Sequence, residues 1–152
     1  MTERIKLITR VNKEAGSEDF YAKSQHFGML AAESFREERG RERQQRHRAQ
    51  MTGLENIAET TLKVTDVLDY VKKQTARQRG WQKEIGPARE RFGPSLKEYI
   101  ESGLKPSVDS VCSDLLINEA SEQGKQERQE VYLHLIRQLI RQLVVQYEYL
   151  VS

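Results

Sequence analysis

The sequence predicts an all-α protein, a single-domain bundle of four to five helices closed around a long apolar C-terminal core helix. Three observations predict it. Apolar residues recur at helical spacing in several stretches, most prolines and glycines fall between those stretches, and the most apolar segment of all, 131–151, keeps the spacing to its end. A chain of 152 residues fits one domain and can bury a core without disulfides or a structural metal. Its balance of 37% apolar and 32% charged residues suits long helices with wide solvated faces.

Residues 1–17 are expected as an N-terminal arm, with residues 18–152 as the bundle domain. The arm's apolar set, Ile5, Leu7, Ile8 and Val11, fits a strand or a helical turn equally. Ser17, followed by Glu18 and Asp19, has the form of a helix start: a hydroxyl to cap the first amides, and acids at the positive end of the dipole. The helix that follows carries Phe20, Phe27, Leu30, Ala31 and Phe35, after which 36–50 turns polar and offers no apolar face.

From Met51 to Gln78, Leu54, Ile57, Thr61, Val64, Leu68, Val71 and Thr75 alternate spacings of three and four. That heptad seam predicts one helix packed at a shallow angle on another. The β-branched run TTLKVTDV lowers its intrinsic helicity, so packing must supply stability. A break is expected near Arg79-Gly80, then short or kinked helices segmented by Gly86-Pro87, Gly93-Pro94 and Gly103. Pro106 opens a helix whose core stripe is Val108, Val111, Cys112, Leu115 and Leu116. A turn is expected around Gly124. Beyond it Leu135, Ile136, Leu139, Ile140, Leu143, Val144, Tyr147, Leu150 and Val151 leave only a narrow polar stripe of His134, Arg137, Gln138, Arg141 and Gln142. A helix apolar on so many sides belongs at the bundle's centre.

Two basic clusters are the candidate binding elements. Arg36, Arg39, Arg41, Arg43, Arg46 and Arg48 crowd one run, interleaved with His47, Glu37, Glu38 and Glu42. Arginines at this density neutralise phosphates, and with glutamates three or four residues away they equally describe a solvated or protein-contacting helix. The second cluster, Lys72, Lys73, Arg77, Arg79, Lys83, Arg89 and Arg91, surrounds Trp81. An indole among cations suits a stacked base beside a phosphate groove, or a core anchor beside a helix C-terminus. With a net charge of +2, the whole surface is no polyanion trap, so a nucleic-acid argument rests on these patches.

Catalytic constellations are sparse. The histidines His26, His47 and His134 lie far apart in the chain, and Glu130 with His134 at i, i+4 gives two metal ligands where a site needs more. Glu55, Glu59, Asp66 and Asp69 lack the Glu-x-x-His partners of a di-iron bundle and read as a solvated face. No phosphate-cradling glycine loop or nucleophile elbow occurs. The single cysteine, Cys112, allows neither an internal disulfide nor a cysteine zinc cluster. No cofactor, no metal and no catalytic residue is expected, and without a signal-peptide core or a membrane span a cytoplasmic location is.

The C-terminal segment VYLHLIRQLIRQLVVQYEYLVS, on a basic helical chain of this size, resembles the small helical subunits of type III CRISPR effector complexes. That resemblance implies repeated copies that line a nucleic-acid groove. The residues themselves lead to a non-catalytic helical adaptor or accessory subunit of a larger macromolecular complex, docking through 36–48 onto protein partners. The alternative is a nucleic-acid-binding small subunit using 36–48 and 72–91, and homo-oligomerisation is left open.

Overall fold

A computed structural model describes residues 2–36 and 41–152, with the side chains of residues 2 and 41–44 outside the description. Among these residues the fold is all-α: α1 (Thr2–Ala15), α2 (Glu18–Ser34), α3 (Arg41–Thr60), α4 (Val64–Arg77), α5 (Phe92–Glu98), α6 (Lys105–Asp114) and α7 (Glu122–Val151). The described α-helices outnumber the four to five expected because several predicted stretches divide.

Helix α7 is the axis. Val131, Leu135, Ile136, Leu139, Ile140, Leu143, Val144 and Tyr147 are all buried, and α1, α2, α3 and α6 each pack against it. Its polar stripe also contributes to the packing. Arg137 donates from Nε to the carbonyl of Ala58 (2.8 Å) and from a terminal nitrogen to that of Thr61 (2.9 Å), while Gln142 donates to the Ala15 carbonyl (2.9 Å). These are the carbonyls that α3 and α1 leave unpaired where they end, and Arg137 adds a cation at the negative end of the α3 dipole. Helix α2 comes closest: a Cβ built on Gly28 would lie 2.6 Å from both the Gln146 Cβ and the Leu143 carbonyl oxygen. Only glycine permits this backbone approach.

Residues expected as an arm are instead α1, with Leu7, Val11 and Ala15 in the core. The Arg10 guanidinium ties α1 to α6 through Asp114 (2.7 Å) and Ser110 (3.1 Å). Ser17 caps α2 as expected, accepting from the Phe20 amide at 3.4 Å.

The seam over 51–78 is not one helix. It breaks at 61–63, and α3 and α4 fold back as a hairpin in which the Tyr70 hydroxyl donates to the Gln50 carbonyl (2.6 Å). The break is chemical. Thr61 Oγ1 accepts from the Lys63 amide (3.0 Å) and donates to Asp66 Oδ2 (2.5 Å), so a side chain takes over contacts that the helix ladder would make. The predicted break near Gly80 is a 3-10 turn, Arg79–Gln82, but no helix starts at Gly86-Pro87. Gly86 at φ 72° and Arg89 at φ 51° instead turn a minimal hairpin that pairs Glu84 with Arg91 and Ile85 with Glu90. A π turn, Tyr99–Gly103, links α5 to α6.

The turn expected around Gly124 lies earlier. Ser121 caps α7 by accepting from the Gly124 amide (2.9 Å), which places Gly124 inside the first helical turn. Leu116, expected in the α6 core stripe, is 89% exposed at φ 58°. Its amide and that of Ile117 bond back to Ser113 (3.1 Å) and Cys112 (3.1 Å), a Schellman ending whose left-handed position normally belongs to glycine. Leu116→Gly should therefore stabilise the fold by about 0.5–1 kcal/mol, seen as a higher urea midpoint at unchanged slope. A lower midpoint would show that the leucine side chain makes a contact worth more than its backbone strain.

Candidate docking site

The end of α2, the first half of α3 and the end of α7 meet around Phe35. Its ring stacks on His47 at 4.2 Å and 13°, meets Tyr147 edge-on at 5.9 Å and Phe92 edge-on at 6.4 Å, and lies 6.5 Å from Trp81. Gly80 makes room for it, since a Cβ there would fall 2.6 Å from the Phe35 ring. His47, read in the sequence as part of a charged run, is buried.

Above this cluster opens a groove of about 260 Å³, floored by Ala32, Phe35, Tyr147 and Val151. Met29 and Leu150 stand on its walls, 42% and 44% exposed. Arg36, at the end of α2, and Arg48, on α3, flank it. Arg36 is paired with Glu33 at 3.2 Å, whereas Arg48 has no ion pair among the described residues. Burial pushes the Tyr147 phenol up; the nearby Arg48 charge opposes that shift and the Glu148 charge adds to it.

On the other side of the α2 end, Arg77, Arg79 and Lys83 converge on a depression of about 380 Å³ beside Ser34 and Gly80. The two predicted clusters thus reach one end of the molecule in part. Arg36 with Arg48, and Arg77 with Arg79, come together there. Arg46 is exposed on α3 away from the groove lining, and Lys73 is exposed on α4. Lys72 faces elsewhere: together with Lys97, whose hydrogen bond is the larger influence, it holds the Glu101 carboxyl below its ordinary value. Arg39 lies outside the described residues, and so do the side chains of Arg41 and Arg43.

Trp81 is a core residue. It is fully buried, and its indole N–H donates to Gln50 Oε1 at 2.7 Å. No base can reach its face, so the anchor reading replaces the stacking one. No family model, curated protein or solved structure matches this chain. The site therefore stands on its own geometry.

Met29 and Leu150, which give the groove its character, were not among the predicted site residues. Met29 was readable as an apolar residue off the α2 stripe. Leu150 was counted in the buried face of α7, and only the end of the covering helices leaves it open. Elsewhere the chemistry is quiet. Burial raises the Cys112 thiol pKa, keeping it a thiol, and among the described residues no three His, Cys, Asp or Glu side chains gather as a metal site. Nor is any described helix long and apolar enough to cross a membrane.

Two measurements probe these packed groups. Trp81→Phe removes a donor from Gln50, whose Nε2 is already buried without a partner, and shrinks the central ring. A loss of about 2–4 kcal/mol is expected, and adding Gln50→Leu should recover part of it. A loss under about 1 kcal/mol would mean the bond contributes little. His134 is held below its ordinary value of 6.5 by burial first and by Arg137 second, against the pull of Glu130. The folded protein therefore binds this proton less readily than the unfolded chain, and its contribution, complete above the ordinary value, is lost as pH falls through it. Between about pH 7.5 and 5 the urea midpoint should drop less in His134→Gln than in the parent; equal drops would contradict the shift.

Proposed function

We propose that this chain is a non-catalytic adaptor or accessory subunit that holds a partner protein in the groove between α2, α3 and α7. The observation that carries this reading is the pair Met29 and Leu150, both partly exposed and facing one concavity with an apolar floor. Apolar surface grouped in a concavity and rimmed by charge is the usual mark of a contact site. Covering what these two side chains still expose would contribute about 1–2 kcal/mol each, enough to anchor a partner without making the free protein insoluble.

A second reading, a nucleic-acid-binding subunit, is favoured by the convergence of Arg77, Arg79 and Lys83 on one depression. Phosphate binding there would have to proceed without stacking, because Trp81, Phe35 and Tyr147 are 0%, 5% and 2% exposed.

A photo-cross-linking residue at position 29 tests the first reading, with the same residue at the exposed Lys125 of α7 as the control. In an extract of the protein's own host, position 29 should cross-link a protein that position 125 does not, and Leu150→Asp should abolish the product while leaving the helical circular dichroism intact. Background-level cross-linking at position 29 would overturn the adaptor reading. If an RNA or DNA duplex instead binds with an affinity that falls ~10³-fold or more between about 50 and 200 mM salt, and Arg79→Glu abolishes it, the second reading replaces the first.

A further inference from the structure

We infer that the occupant of the groove is an amphipathic α-helix with acidic residues flanking its apolar stripe. This rests on the docking reading above and adds the chemistry of the partner. The groove runs between two helices, α2, which contributes Met29 and Ala32, and α7, which contributes Leu150 and Val151. A floor of that form accepts apolar residues at i, i+3 or i+4, and i+7 of a third helix laid along it. Cations outnumber acids in the lining: Arg48 has no ion pair among the described residues, and Arg36 is paired with Glu33. A helix with Asp or Glu beside its apolar stripe would meet Arg48 and Arg36 at the rim, where unlike charge steers encounter and fixes register.

Other occupants fit less well. The cavity, at about 260 Å³, lies below the ~300–1,000 Å³ of small-molecule pockets. Nucleic acid would find apolar walls, Glu33 at the rim and, in the lining, only the buried rings of Phe35, His47 and Tyr147. A second copy of this chain could offer α1, whose Ile5 and Ile8 are exposed, but Arg4 and Lys6 flank them, so that helix would bring cations to cations.

The test is selection from an mRNA-displayed library of helix-forming peptides on the immobilised full-length protein, keeping binders lost on Leu150→Asp. The recovered pool should carry an excess of Asp and Glu on the flanks of its apolar stripe. A purified member should bind about five- to tenfold more weakly to Arg48→Glu, and replacing its facing Glu by Arg should restore binding to that variant. A pool of apolar helices with no acidic excess, or binding indifferent to Arg48→Glu, overturns the inference while leaving groove docking in place. A selection that returns no groove binder also overturns it, and the cross-link at position 29 then judges the adaptor reading separately. Light scattering that shows a dimer dissociated by Leu150→Asp would assign the groove to a second copy and equally end the proposal.

Discussion

The structure depends on covering α7. A helix with apolar residues over more than half its circumference cannot sit at a surface, because each large side chain left in water forgoes about 1.5–3 kcal/mol. The rest of the chain is arranged as its cover. α1 runs parallel to it, with Arg4 facing Glu130 and Asn12 facing Gln138, and α3 runs antiparallel, with Glu59 reached by Arg141 and Arg48 lying near Tyr147. The same helix fixes where its neighbours stop. Arg137 and Gln142 satisfy the final carbonyls of α3 and α1, so the narrow polar stripe positions the very helices that bury the apolar faces beside it.

The groove follows from where that cover ends. α2 closes on α7 at Gly28 and finishes at Ser34, while α7 continues to Val151. Over the last turns of α7 the apolar pattern outlasts its partners. Phe35 seals the floor through four aromatic neighbours, and what remains above it is a trough with Met29 and Leu150 on its walls. Site and core share one hydrophobic pattern, differing only in whether a helix of this chain lies across it.

That identity explains which features could be read without coordinates. The centrality of α7, the Ser17 cap and the Pro106 start each rest on a local pattern with one good physical solution. The seam over 51–78 had two. Spacings of three and four describe a continuous helix and also two helices folded onto each other, and the choice was made by the hydroxyl of Thr61, whose partners Lys63 and Asp66 become decisive only once Arg137 has taken the freed carbonyls. Leu116 misled for a related reason: periodicity carried it into the α6 stripe, while the Schellman bonds ended the helix two residues sooner. The site was legible in its charges and hidden in its apolar walls, because openness at Leu150 depends on the length of a different helix.

Charge density in the sequence treats all arginines alike, and the fold does not. Arg10, Arg128, Arg137 and Arg141 are held by acids or helix ends of distant segments, and their charge is neutralised or pinned within the molecule. Arg46, Arg48, Arg77 and Arg79 have no such partner among the described residues, and all lie on elements that meet near the end of α2. What a partner can feel is therefore set by how many cations the fold leaves unpaired at one place, rather than by the overall +2. Beside an apolar trough, that local surplus favours a ligand carrying both features at once: a greasy stripe for the floor and carboxylates for the rim.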